Sequence, residues 1–272
     1  MNYLHFDFDT ESSEQQEKLV ALLSEQGFIG FEEEEGSLNA FIPEHQFRED
    51  EFSTVIDLFE NVSYTKTIIE NINWNKKWEE DFKPVVVDDF AAIRAGFHQP
   101  VGGVVHDIII TPKMSFGTGH HATTYLMIQQ MKEIDFREKT VLDFGTGTGV
   151  LAILASKLGA SNVLAIDYDE WSIENTRENI IQNGCFNIVV EQADSIPLTG
   201  KYDIILANIN LNVITSSLTN IVNASQQGTI VLLSGFLKEN EAVLSKDLRE
   251  AGLINLITLQ RGDWILIMAN MR

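Results

Sequence analysis

Three glycines at alternate positions, Gly145, Gly147 and Gly149, stand between the apolar run TVLDF and the helix-like run VLAILASKLG. Glycine is the residue that lets a chain turn sharply and lets a ligand approach the backbone. A glycine turn between a buried strand and a helix constrains the fold more than any other feature of this chain. It requires an α/β unit, and the sequence after it supplies one. NVLAIDYD reads as a strand, SIENTRENIIQNG as a helix, FNIVVEQAD and YDIILAN as strands, LNVITSSLTNIVNAS as a helix, GTIVLLSGF as a strand and ENEAVLSKDLREAG as a helix. Alternation of this kind predicts a doubly wound, mostly parallel sheet. LINLITLQ and DWILIMAN, turning at Arg261-Gly262-Asp263, predict a closing hairpin that gives the sheet an antiparallel edge.

The spacing of the glycines narrows the ligand. A dinucleotide loop places its third glycine five positions after the first, whereas Val150 stands there and the third glycine comes at four. Asp143 precedes the loop; a carboxylate is badly placed beside a pyrophosphate and well placed beside an ammonium group. S-adenosylmethionine carries a cationic amino-acid tail and no phosphate, so the loop fits that ligand better; a tight turn with nothing bound is the plain alternative. The next strand ends in AIDYD, about 20 residues on, where a carboxylate can accept from both ribose hydroxyls. Asp167 follows the apolar run directly and is expected there, at a solvent-facing strand end. Asp169, before Ser172 and Ile173, suits a helix N-cap. Asp194 could meet the adenine amino group or cap a loop. Asn208 ends the fourth strand at the edge where such sheets bind ligands, and its amide can both donate and accept. Upstream, MSFGTGHHATT places Gly117 and Gly119 in a loop before another helix, with Thr123 and Thr124 able to cap it or offer hydroxyls. His120 and His121 are adjacent, which does not aim them at one metal.

Charge and cysteine content exclude other classes. Among 272 residues, Lys+Arg is 19 against 40 Asp+Glu, a net charge of −21. Residues 1–60 hold 16 acidic and 2 basic residues. Such a surface repels nucleic-acid phosphates and anionic lipid and steers a basic protein towards the first 60 residues; solubility alone is the bland reading. The single cysteine, Cys185, excludes a disulfide scaffold and a multi-thiolate zinc site, and fits a reducing cytoplasm. The opening MNYLHFDFDTESSEQQ is acidic where a signal peptide would be basic then apolar, and no apolar run is long enough to span a bilayer.

The first 70 residues read differently. YLHFDF, the helix after Thr10 ending near Gly27, the FIGFEEEE/LNAFIP hairpin at Gly36-Ser37, the helix EDEFSTVIDLFEN and the strand VSYTKTIIENI give βαββαβ, the ferredoxin-like pattern. This predicts a small α+β domain over 1–70, a linker over 71–84 and an α/β domain over 85–272. Trp74, Trp78 and Phe82 form one helical stripe in WNKKWEEDFKP, expected to dock the linker. VVVDDFAAIR and HDIIITP read as two strands leading into the second domain.

Taken together, WNKKWEEDFKP, MSFGTGHHATT, VLDFGTGTGVLAILASKLGA, AIDYD and ILANI resemble the PrmA family, methyltransferases of ribosomal protein eleven of the large subunit. FGTGHHATT is the specific signal; the glycine loop alone resembles any class I methyltransferase. The resemblance implies S-adenosyl-L-methionine as cofactor, N-methylation of lysine side chains or an N-terminal amine of a basic ribosomal protein, and an N-terminal domain that grips this substrate. It places cofactor contacts on Thr124, Gly145, Asp167 and Asn208, beside Asp143 and Gly147 of the loop, with Phe116 and Gly117 in a loop folding over the cofactor. A monomer without metal, nucleic-acid or membrane binding is expected. The chain departs from the family at Pro112-Lys113-Met114-Ser115, where P-G-x-A is usual, and at Asn210, an extra amide expected near the substrate mouth. Rival readings are a methyltransferase acting on another protein or a small amine, a nicotinamide oxidoreductase, and a non-enzymatic binding module.

Overall fold

The computed structural model describes residues 2–34, 36–59, 62–69, 82–112, 121–197 and 200–272. The chain divides into two compact units, Met1–Asp81 and Phe82–Arg272.

In the first unit the order is β1 (Tyr3–Asp9), α1 (Ser13–Glu25), β2 (Gly30–Glu34), β3 (Ser37–Pro43), α2 (Glu49–Ile56) and β4 (Ser63–Ile69). The strands form an antiparallel sheet in the order β2-β3-β1-β4. Period-two alternation sends Leu4, Phe6 and Phe8 of β1 and Leu38, Ala40 and Ile42 of β3 to one face. Leu19 and Leu23 of α1 and Phe52 and Val55 of α2 cover that face. Phe6 and Phe52 lie 4.6 Å apart, ring to ring, at the centre. Helix α1 begins where the Ser12 hydroxyl accepts the Gln15 N–H at 3.3 Å, two residues beyond Thr10.

The second unit opens with a three-stranded sheet of β5 (Val85–Val87), β6 (Ala91–Ala95) and β7 (His106–Ile110). VVVDDFAAIR is therefore two strands and not one: the chain reverses at Asp88, whose φ is +52°, so that β5 and β6 pair antiparallel. Next come α3 (Ala122–Met131), β8 (Thr140–Phe144), α4 (Val150–Lys157), β9 (Asn162–Asp167), α5 (Glu170–Asn183), β10 (Ile188–Gln192), β11 (Tyr202–Asn208), α6 (Leu211–Ala224), β12 (Ser225–Leu237), α7 (Glu241–Glu250), β13 (Leu253–Arg261) and β14 (Trp264–Met271).

The seven strands from β8 onward pair in the order β10-β9-β8-β11-β12-β14-β13. β10 to β12 are parallel throughout. β14 runs antiparallel to both its neighbours, one place in from the edge, so the edge strand β13 runs with the parallel set. The antiparallel member is thus inserted and does not form the edge. Both faces are covered, which explains the near-continuous apolar strands. Val141, Ile204 and Leu232 pack with Leu126 of α3, Ile153 of α4 and Ile180 of α5. Leu142, Ile205 and Val231 pack with Ile214 of α6 and Leu244 of α7. No helix among the described residues is long and apolar enough to cross a membrane.

Trp74 and Trp78 lie outside the described residues. Phe82 stacks on His98 at 6.0 Å, inside the second unit.

Candidate active site

The strand order reverses between β8 and β11. In open α/β sheets the crevice beyond the carboxyl ends at such a point is where ligands bind. A cavity of about 710 Å³ opens there. Its lining includes Gly145 and Gly147 of the loop, Asp167, Tyr168, Asp169 and Asp194 at and after the ends of β9 and β10, and Asn208, Ile209, Gly235, His121 and Trp264.

The glycine loop has the shape that its sequence requires. Gly145, Gly147 and Gly149 all have positive φ, at +77°, +57° and +80°. A Cβ on Gly145 would lie 2.2 Å from the Ile209 Cγ2. The absence of that side chain lets β11 close against the loop.

Asp143 sits behind the loop and not in the cavity wall. Its Oδ2 accepts from the Thr146 hydroxyl at 2.7 Å and the Ala152 N–H at 3.2 Å. Its Oδ1 is buried and has no hydrogen-bond partner among the described residues. Burial pushes its pKa up to about 7, against the opposing pull of those two hydrogen bonds. A carboxylate so placed acts through the loop that it holds.

Asp167 lines the cavity but is buried, not at the solvent-facing strand end that the pattern predicts. One oxygen accepts the Gly147 N–H at 2.9 Å and the other the Asp169 N–H at 3.1 Å. Each carboxylate oxygen has a second lone pair, so acceptor capacity remains. Asp169 caps α5, accepting both the Ser172 N–H and hydroxyl at 2.9 Å, as its place before Ser172 requires. Asp194 is exposed on the cavity rim.

Asn208 ends β11 inside the cavity. Its Nδ2 donates to the Thr124 hydroxyl at 3.2 Å. Its Oδ1 is buried and unpaired among the described residues. Thr124, fully buried on α3, thus reaches the site through Asn208. Asn210 also lines the cavity, but its Oδ1 accepts the Val213 N–H at 3.0 Å and caps α6. The carbonyl of the extra amide is occupied in starting a helix.

Phe116 and Gly117 lie outside the described residues, as does the Lys113-Met114-Ser115 departure. His121 caps α3 and meets Trp264 edge-on at 4.4 Å, and partial burial lowers its pKa from the ordinary imidazole value. Sequence reasoning missed Trp264, Gly235 and Ile209 as wall residues. The only local signal was position: Gly235 comes at the end of the GTIVLLSG strand and Trp264 directly after the Arg261-Gly262-Asp263 turn.

The sequence model of the ribosomal protein L11 methyltransferase (PrmA) family matches residues 7–272. A ribosomal protein L11 methyltransferase of Bacteroides fragilis is 36% identical over 276 residues, with 98% of this chain and 99% of that protein covered. One from Porphyromonas gingivalis is 39% identical over 253 residues, covering 90% and 87%. Among solved structures, the ribosomal protein L11 methylase of Lactobacillus delbrueckii subsp. bulgaricus superposes with a TM-score of 0.64 at 27% identity, over 70% of this chain and 99% of that one. A Pyrococcus furiosus methyltransferase, at 20% identity and a TM-score of 0.51 over 60% of this chain and 88% of that one, shares the fold. With a family match across nearly its whole length, the chain belongs to the ribosomal protein L11 methyltransferase family.

Proposed function

We propose that this chain is an S-adenosyl-L-methionine-dependent methyltransferase of ribosomal protein L11, modifying lysine side chains or the N-terminal amine, with the cofactor held in the cavity beyond β8 and β11. The observation that carries this reading is the buried, unpaired Oδ1 of Asn208. An unsatisfied acceptor costs about 1–3 kcal/mol, so a site that keeps one has an N–H ligand to recover it. The charge of the wall supports the same cofactor. Among the described residues it carries Asp167, Asp169 and Asp194 and no lysine or arginine. That suits a cationic, phosphate-free ligand and disfavours a dinucleotide, whose pyrophosphate needs positive charge or free N–H groups. Gly145 and Gly147 leave room for its backbone-close approach, and Asp167 accepts from the ribose hydroxyls.

When bound, the cofactor supplies an electrophilic sulfonium methyl, so the chain has mainly to present a neutral amine in line with it. Asn208 orients that amine by accepting its N–H, and Thr124 holds the Asn208 amide with Oδ1 facing inward. Lysine is protonated at neutral pH and has to release its proton to solvent before transfer. Trp264 and His121 limit the mouth. The acidic first unit captures the basic substrate, and its β2-β3-β1-β4 order supports reading it as a ferredoxin-like module.

Radiolabelled methyl transfer into a mixture of large-subunit ribosomal proteins tests the assignment. Label should enter L11, at primary amines on peptide mapping. Label confined to another protein, or none with cofactor bound, would overturn it.

A further inference from the structure

Helix α5 carries Asn175, Asn179 and Asn183 at four-residue spacing, one row on one face. The row lies along the edge of β7 that no strand among the described residues pairs with, the other edge being taken by β6. Asn183 accepts the Ile109 N–H at 3.0 Å and donates to the Ile109 carbonyl at 2.6 Å. Asn179 accepts the Thr111 N–H at 2.7 Å, and Asn175 donates to the Thr111 carbonyl at 3.0 Å. The amides thus replace a neighbouring strand and satisfy an edge that would otherwise be bare.

Edge protection accounts for Asn183 and Asn175 but not for the middle of the row. Asn179 also donates to the Thr148 carbonyl at 2.8 Å, and its remaining hydrogen goes to the Asn175 Oδ1 at 2.9 Å. Thr176, on the same face, donates its hydroxyl to the Gly147 carbonyl at 2.8 Å. Asn175, Thr176 and Asn179 are all fully buried. Two successive carbonyls of the glycine loop are therefore gripped from behind by α5, while the Gly147 N–H is held by Asp167. The third glycine belongs to this contact: a Cβ on Gly149 would lie 2.8 Å from the Thr176 Cγ2. Its place four positions after Gly145 lets the helix side chain reach the loop.

We propose that Thr176 and Asn179 are positioning residues for the cofactor: by holding the Gly147 and Thr148 carbonyls they fix the glycine loop in its binding shape, and through Asn179 they tie it to the end of β7. Neither residue lines the cavity. The inference rests on the reading that the glycine loop binds S-adenosyl-L-methionine.

The test is calorimetric binding of S-adenosylhomocysteine to the full chain and to four variants, with thermal unfolding measured alongside. Thr176→Val keeps the shape and removes the hydroxyl; Thr176→Ser keeps the hydroxyl. Asn179→Ala cuts the bonds to the loop, to Thr111 and to Asn175, whereas Asn183→Ala cuts the two β7 bonds and a bond to the Asn179 carbonyl but none to the loop. Thr176→Val and Asn179→Ala should raise Kd roughly tenfold, the scale of a lost buried hydrogen bond. Thr176→Ser and Asn183→Ala should stay within about twofold of the parent, even though Asn183→Ala lowers Tm. In turnover, Thr176→Val should raise the cofactor KM with kcat at saturation nearly unchanged. Should Asn179→Ala not fold, the Thr176 pair decides the matter. Parent-like affinity in Thr176→Val, or losses that follow Tm alone in all variants, would overturn the positioning role. A parent that bound no S-adenosylhomocysteine would instead overturn the cofactor reading beneath it.

Discussion

Asp143→Asn keeps the shape of a side chain and deletes its titration. The native carboxyl is fully buried and its pKa stands at about 7, against an ordinary 3.8. A raised acid binds its proton more readily folded than unfolded. Folding therefore takes up a proton between pH about 4 and about 7, and stability from this group falls as pH rises through that window and is flat above it. At pH 5 the native carboxyl is protonated while the unfolded one is ionised; at pH 8 both are ionised. Integrating between those limits gives about 2–3 kcal/mol of stability present at pH 5 and gone at pH 8. The amide variant has no such slope. Its Nδ2 would occupy the place of the unpaired Oδ1, at a fixed cost of about 1–3 kcal/mol at both pH values. The measurement is urea unfolding of parent and variant at pH 5, 6, 7 and 8, read as a difference, so that the titration of the other acidic groups cancels. The variant should gain on the parent by about 2–3 kcal/mol from pH 5 to pH 8. A constant difference would show that Asp143 is ionised throughout and that burial does not govern it.

Asp167→Ala should weaken S-adenosyl-L-methionine binding by about 1.5–3 kcal/mol, and should also lower Tm because it frees the Gly147 and Asp169 N–H groups; unchanged affinity in calorimetry would move the ribose contact to Asp169. In Gly235→Ala the new Cβ would fall 2.2 Å from the Ile209 carbonyl oxygen, at a φ of +103°, so the residue next to Asn208 must shift. That change should destabilise the chain by about 1–3 kcal/mol and lower kcat more than it raises the cofactor KM; parent-like kinetics would show that Ile209 moves without disturbing Asn208. If the acidic first unit captures a basic protein, kcat/KM for L11 should fall several-fold as the Debye length shrinks from about 30 Å at 0.01 M salt to about 10 Å at 0.1 M, with cofactor Kd nearly constant. Reversing Glu32, Glu33 and Glu34 to lysine should flatten that response, and an unchanged salt profile would move the capture surface elsewhere.

What could be read from the sequence was local. The glycine loop, the Asp169 cap and the α/β alternation each depend on residues within one turn or one strand. Asp143 shows the limit: its neighbours in sequence give a carboxylate beside a glycine loop, but only the packing of α4 and Thr146 places it behind the loop. The burial of Asp167 is hidden from the sequence for the same reason, since Gly147 comes back over it from 20 residues away. Gly235 reaches the cavity because β12 pairs with β11, and Trp264 because β14 pairs with β12, contacts without a local pattern. The asparagines of α5 are plain at four-residue spacing, yet their meaning needs β7, whose Ile109 is 74 residues from Asn183.

The slot taken by β14 has a consequence for how the second unit comes apart. β13 touches the sheet only through β14, so β14 cannot leave β12 without taking β13 off the sheet with it. If β14 were to undock from β12, Trp264, paired with Leu237 at its start, would leave with it. An undocked molecule would still have its glycine loop and Asp167 but would lack one wall of the cavity. A ligand that needs the finished cavity acts as a staple on that hairpin, and its binding free energy adds to the cost of undocking. Amide exchange in β13 and β14 should then slow on cofactor binding, although most of these residues lie away from the cavity.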